Sequence, residues 1–119
     1  MNILIVDDDV FFQNLLSFEL QRSGHTVILA DDGKKAMDIV SQNKTLDIVV
    51  CDINMPVLTG PSFILSLKNF YPQKLPVIII VSASKDGGDF MNKIEIPHDY
   101  YLQKPVDPDE LNKILAQLK

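Results

Sequence analysis

A chain of 119 residues accommodates one ordinary domain, and its 46% hydrophobic content is enough to build a core without disulfide or metal staples. Eleven Lys and Arg against sixteen Asp and Glu leave a net charge of −5, which argues against direct nucleic-acid binding. Cys51 is the only cysteine, so an internal disulfide is excluded, and His25 and His98 are too few to complete a Cys/His metal site.

No apolar run reaches the roughly 18 residues that span a bilayer. The N-terminal MNILIVDDDV turns acidic too early for a signal peptide. The expectation is a soluble, cytoplasmic chain with no membrane partner.

Short apolar runs at 2–6, 26–30, 47–51, 76–81 and 99–103 read as five strands, separated by stretches long enough for a helix each. The first, third and fourth are continuously apolar, as central parallel strands covered on both faces should be, whereas the second and fifth are mixed and read as edges. A first helix is expected over about 10–23, with Asp9 as N-cap, Gly24 as stop and Phe11, Leu15 and Phe18 on its apolar face. A second is expected over about 33–43 through Ala36, Ile39 and Val40, and a third over about 60–69 through Phe63, Ile64 and Leu67. A short, weak fourth helix is opened by Gly87-Gly88 and closed by Pro97, with Phe90, Met91 and Ile94 as its face. A fifth, over about 107–118, carries Leu111, Ile114, Leu115 and Leu118, with Pro108 in its first turn.

Right-handed β-α-β crossovers through five strands imply an α/β fold: a doubly wound, flavodoxin-like (βα)5 three-layer sandwich with a parallel sheet of order 2-1-3-4-5. Ligands of such sheets sit outside the carboxyl ends of the strands. Those ends carry Asp7-Asp8-Asp9, Asp52, Ser82 and Lys104. Clustered carboxylates repel one another unless a cation compensates, and short Asp side chains suit Mg²⁺ (or Mn²⁺) held by Asp7, Asp8 and Asp52, with the Asn54 backbone carbonyl completing the set. A carboxylate beside such an ion can accept a phosphoryl group. Asp52 is the best-placed nucleophile, with Lys104 as a point charge and Ser82 as a hydroxyl donor for the phosphoryl oxygens.

ILIVDDD, DIVVCDINMPVLTG, PVIIIVSAS and YYLQKP together resemble the successive signatures of the response-regulator receiver domains of two-component signalling. The resemblance covers residues 1–119 as a single receiver domain with no output domain visible, either standing alone or cut from a longer protein. Spacings of 44 residues from Asp8 to Asp52, 30 to Ser82 and 22 to Lys104 match that family's intervals.

The resemblance implies Asp7 and Asp8 as the acidic pair, Asp52 as phosphoacceptor, Ser82 as switch hydroxyl, Tyr101 as switch aromatic, Lys104 as phosphate-binding lysine, and a cis peptide before Pro105. It implies phosphoryl transfer from a sensor histidine kinase or histidine phosphotransfer protein. The domain would catalyse only its own phosphorylation and dephosphorylation. It would then reshape the surface of the fourth helix, fifth strand and fifth helix toward a downstream protein or an excised output domain, with a weak dimer through the same surface.

Taken alone, each of these residues has a plainer reading. Asp7-Asp8-Asp9 suits a turn and helix cap, Asp52 and Ser82 suit turns, and Lys104 suits a surface loop. Cys51 reads as a small buried hydrophobe. His25 and His98 read as surface or loop residues, and Tyr100 and Tyr101 point to opposite faces of their strand.

Several positions depart from the family pattern. Pro97-His98-Asp99 stands where receivers commonly carry Gly-Ala, Val106 replaces a common Phe, and the last helix lacks the arginine of one dimerising subgroup. Ser84, two residues after the expected switch hydroxyl, is small and neutral, which implies a comparatively open water path to the phosphoryl group. An aspartate-nucleophile phosphatase would need an Asp where Asn54 stands, and a flavin-binding module would need a hydroxyl- and glycine-rich loop after the first strand. A phosphate-independent receiver is a further alternative.

Overall fold

The computed structural model describes residues 1–42, 45–53, 60–72, 74–82 and 98–118. Five strands, β1 (Asn2–Val6), β2 (Thr26–Ala30), β3 (Ile48–Asp52), β4 (Val77–Ser82) and β5 (Tyr100–Gln103), form one parallel sheet in the order β2-β1-β3-β4-β5. The helices are α1 (Val10–Arg22), α2 (Gly33–Gln42), α3 (Gly60–Ser66, running into a 3₁₀ turn at Leu67–Asn69) and α4 (Pro108–Gln117). The short helix expected between Gly87-Gly88 and Pro97 lies outside the described residues, as does Ser84. Among the described residues no helix is long and apolar enough to cross a membrane.

Successive strand residues alternate between two hydrophobic layers, as a pleated strand requires. Ile3, Ile5, Ile48, Val50, Ile79 and Val81 pack with Leu16 and Leu20 of α1 and with Leu111 and Leu115 of α4. Leu4, Val6, Val49, Cys51, Ile78 and Ile80 pack with Ala36 and Val40 of α2 and with Phe63, Ile64 and Leu67. The three inner strands β1, β3 and β4 are apolar on both faces because helices cover both, and β2 and β5 are the edges. Tyr100 packs against the first layer and Tyr101 against the second, so their opposed orientation is borne out.

Helix ends follow local chemistry. The Asp9 carboxylate accepts the Phe12 N–H at 3.1 Å and starts α1, and Gly24, at φ +94°, ends it in the left-handed conformation that glycine adopts without strain. Asp107 caps α4 by accepting the Asp109 N–H at 2.9 Å. Two further aspartates pin strand starts: Asp47 accepts the Asn2 N–H at 2.7 Å, and Asp99 accepts the Ile78 N–H at 2.8 Å while its own N–H donates to the Ile78 carbonyl at 2.8 Å. The unusual Asp99 is thus a backbone clamp between β4 and β5.

Two expectations are corrected. The core face of α1 is Leu16 and Leu20 with the polar Gln13, flanked by half-buried Phe12, whereas Phe11, Leu15 and Phe18 are 78%, 47% and 61% exposed. The helix carries two apolar stripes about 100° apart, so periodicity alone does not decide which faces the sheet. His25, expected as a surface or loop residue, does lie in the loop between α1 and β2 but is buried, 8% exposed, with Nδ1 3.2 Å from the Met1 amino nitrogen. The chain folds back there from α1 onto the start of the sheet.

The corrected face has a measurable consequence. Leu16→Ala or Leu20→Ala should lower unfolding stability by about 2–5 kcal/mol, whereas Phe18→Ala should change it by less than about 0.5 kcal/mol, as read by urea denaturation. Equal losses at both positions would contradict the packing described.

Candidate functional site

Parallel pairing of β1, β3, β4 and β5 brings their carboxyl ends to one edge. Val6 pairs with Cys51 and Asp52 with Val81, so Asp7, one residue past β1, stands beside Asp52. Ser82 closes β4 opposite Gln103, and Lys104 follows at once, its N–H donating to the Ser82 carbonyl at 2.8 Å. The peptide between Lys104 and Pro105 is cis, as expected.

Asp7, Asp52 and Ser82 are buried, while Asp8 is exposed. Carboxylate oxygens of Asp7, Asp8 and Asp52 lie within 4.8 Å of one another. Lys104 Nζ sits among them, 2.7 Å from Asp7 Oδ2 and 3.5 Å from Asp52 Oδ2. Burial works to lower the Lys104 pKa, but hydrogen bonding and charge from Asp7 and then Asp52 outweigh it, and the ammonium is held above its ordinary value.

Asp7 Oδ1 accepts the Asp9 N–H at 2.8 Å, and its buried Oδ2 is ion-paired with the Lys104 ammonium at 2.7 Å. Among the described residues, three carboxylates against one ammonium leave an excess of negative charge in the cluster. That donor set of hard oxygens fits a divalent cation of the Mg²⁺ class. Asn54, expected to add a carbonyl, lies outside the described residues. Tyr101 is half-buried on β5, paired with Ile80 and packed on the layer that holds Phe63. Cys51 is fully buried, and burial, followed by the charges of Asp52 and Asp7, pushes its thiol far up, so it is an unreactive core residue.

Gln13 and Phe12 were not legible as site residues. Gln13 Nε2 donates to the carbonyls of Asp7 and Ala30, stapling the ends of β1 and β2 directly behind the acidic cluster. A polar residue in phase with buried Leu16 and Leu20 is the signal for it, visible only once the core face is known. Phe12 lies under Lys104, with the ammonium 4.6 Å from its ring centroid.

The profile of the response regulator receiver domain matches residues 3–116. The chain belongs to that family. This receiver domain is 37% identical over 111 residues to the alkaline phosphatase synthesis transcriptional regulatory protein PhoP of Bacillus subtilis, covering 92% of this chain and 45% of that one. It is 36% identical over 118 residues to the response regulator GtcR of Aneurinibacillus migulanus, covering 98% of this chain and 47% of that protein. It therefore spans about half the length of these relatives. The chemotaxis response regulator CheY4 of Vibrio cholerae superposes with a TM-score of 0.84 at 27% identity, covering 99% of this chain and 98% of the other.

The Gln13 staple can be tested in the receiver domain. Gln13→Leu leaves the Asp7 carbonyl buried without its donor and should cost about 1–3 kcal/mol. Thermal or urea unfolding reads this directly, and an unchanged midpoint would show that the carbonyl finds another partner.

Proposed function

We propose that this domain is a phosphorylation-dependent switch of a two-component system, with Asp52 as its phosphoryl acceptor. The observation that carries the reading is the convergence of Asp7, Asp8 and Asp52 within 4.8 Å around an ammonium bonded to two of them. Homologues of the chain form part of histidine kinase–response regulator systems. In the proposed transfer, the P–N bond of a donor phosphohistidine breaks with its electron pair staying on the imidazole. An O–P bond forms on an Asp52 carboxylate oxygen.

Asp7, Asp8 and Asp52 would hold the divalent cation, which when bound neutralises charge on the phosphoryl oxygens. Lys104 offers its ammonium to a phosphoryl oxygen, and the Ser82 hydroxyl offers a hydrogen bond to another. Hydrolysis of the aspartyl phosphate by water resets the domain. The added charge of about −1.5 to −2 draws Ser82 toward Asp52, and the half-buried Tyr101 ring turns further inward. The surface around β5 and α4 then changes shape for a downstream protein or output domain.

The phosphodonor protein docks on α1. Phe11, Leu15 and Phe18 form an exposed apolar stripe, and Phe11, Phe12 and Leu15 join Lys104, Pro105 and Val106 around a groove of about 330 Å³. Any protein that delivers a phosphoryl group to Asp52 must cover the rim where Lys104 stands, and this stripe continues that rim. A helical partner with an apolar face fits it.

Incubation with Mg²⁺ and acetyl phosphate should add one phosphoryl group to the intact mass of the wild type and none to Asp52→Asn. Uptake that persists in Asp52→Asn, or that never occurs, would overturn the assignment.

The docking stripe separates by donor. Phe11→Asp with Phe18→Asp should reduce transfer from the phosphorylated partner protein by more than about tenfold, the loss expected from removing apolar anchors. Phosphorylation by acetyl phosphate should stay near the wild-type rate. Parallel losses with both donors would place the defect in the site itself.

A further inference from the structure

We propose that Phe12 is a positioning residue for Lys104, its ring forming the wall that holds the ammonium over the acidic pocket. The inference rests on the reading of Asp52 as phosphoryl acceptor and names a residue that tunes the same site. Lys104 Nζ lies 4.6 Å from the Phe12 ring centroid, inside the range at which the negative face of an aromatic ring attracts a cation. The lysine side chain is only 20% exposed, so water screens this attraction less than at an open surface.

The ring is indexed to the metal-binding aspartate by a closed circuit of contacts. Asp7 Oδ1 accepts the Asp9 N–H at 2.8 Å, and Asp9 Oδ1 accepts the Phe12 N–H at 3.1 Å. The Phe12 ring meets the Lys104 ammonium at 4.6 Å, and that ammonium returns to Asp7 Oδ2 at 2.7 Å. A lysine head on a flexible four-carbon stem needs such a constraint, because its three donors impose no direction of their own.

Carboxylates alone are an unsteady anchor for it. Asp7 and Asp52 are the groups that a divalent cation and a phosphoryl group would engage, and each engagement weakens their hold on Lys104. The Phe12 face carries no formal charge, competes for neither the cation nor the phosphoryl group, and keeps its attraction in every state. An aliphatic residue at position 12 would fill the same space in the core layer but lack the ring quadrupole.

Three variants separate these contributions. Phe12→Leu removes the ring, replacement of Phe12 by 3,4,5-trifluorophenylalanine keeps its shape while depleting its negative face, and Phe12→Tyr keeps both. Two readouts apply: the ring-current shift of the Lys104 Hε protons by NMR, and the initial rate of phosphorylation by acetyl phosphate at saturating Mg²⁺. The expected result is an upfield Lys104 Hε shift in the wild type that disappears in Phe12→Leu. The rate should fall about three- to tenfold in the Leu and trifluoro variants and recover in Phe12→Tyr.

Wild-type rates in both depleted variants would overturn the proposal, as would Lys104 resonances indifferent to the ring. A rate that falls in Phe12→Leu but not in the trifluoro protein would also overturn it, because packing alone would then explain the loss. A wild-type protein that takes up no phosphoryl group overturns the acceptor reading separately, and the ring-current shift then decides the Phe12–Lys104 contact by itself.

Discussion

Among the described residues, the Lys104 ammonium is the cation set among the clustered carboxylates of Asp7, Asp8 and Asp52, and the architecture of the strand edge depends on it. Placing buried Asp7 beside Asp52 is costly in a poorly solvated site unless their charge is answered. Lys104 answers part of it, at 2.7 and 3.5 Å, and does so from the far side of the sheet order, since β5 lies two strands from β3. Only a parallel sheet with β1, β3, β4 and β5 in register brings groups from residues 7, 52, 82 and 104 to one edge. The partial compensation matters as much as the compensation. A pocket left with surplus negative charge has capacity for a divalent cation, whereas a fully neutralised one would not.

Around that cluster, α1 connects the pocket to the exterior. One face supplies Leu16 and Leu20 to the core and Gln13 to the Asp7 and Ala30 carbonyls, and Phe12 at its margin carries the Lys104 ammonium. The adjacent stripe of Phe11, Leu15 and Phe18 is open to solvent. Sequence neighbours Phe11 and Phe12 therefore differ in environment by the 100° that separates consecutive residues of a helix. A protein that settles on Phe11 and Leu15 touches the same turn that fixes Phe12 and, through Asp9, Asp7.

Much of this was legible in the sequence, for identifiable reasons. Continuous apolar runs at β1, β3 and β4 could only be central strands, and the crossover rule then sets the sheet order and the edge where Asp7, Asp52, Ser82 and Lys104 meet. Strand bounds moved by a residue or so, which placed Asp52 and Ser82 inside their strands rather than after them. The face of α1 was not legible, because Phe11, Leu15 and Phe18 at i, i+4 and i+7 are as helically periodic as Phe12, Leu16 and Leu20 at i, i+4 and i+8. What decides between the stripes is shape fit to Ile3, Ile5 and Val50, a tertiary property. Asp47 and Asp99 were equally silent, since an aspartate before a strand reads as an ordinary turn residue until its partner strand is known. His25 looked like a loop polar group because nothing local signals that the turn after α1 folds under the start of β1.

The geometry also bears on how a switch of this kind is driven. A phosphoryl group on Asp52 adds charge to a pocket already in surplus, so its effect on the fold depends on which groups can move to meet it. The Lys104 backbone is anchored by its N–H to the Ser82 carbonyl, and its head is bonded to Asp7 and faces Phe12. A large excursion of Lys104 would break contacts on every side. Because Lys104 N–H is bonded to the Ser82 carbonyl, a pull on Ser82 is felt directly at the end of β5, whose Tyr101 is already half-buried against the second core layer. The energy available is the difference in phosphoryl binding between the two arrangements. A few kcal/mol of such difference is enough to convert a minor state populated at about 0.1–10% into the dominant one. Were Asp52 phosphorylated as proposed, the backbone bond from Lys104 N–H to the Ser82 carbonyl would direct that modest difference toward β5 rather than into the pocket.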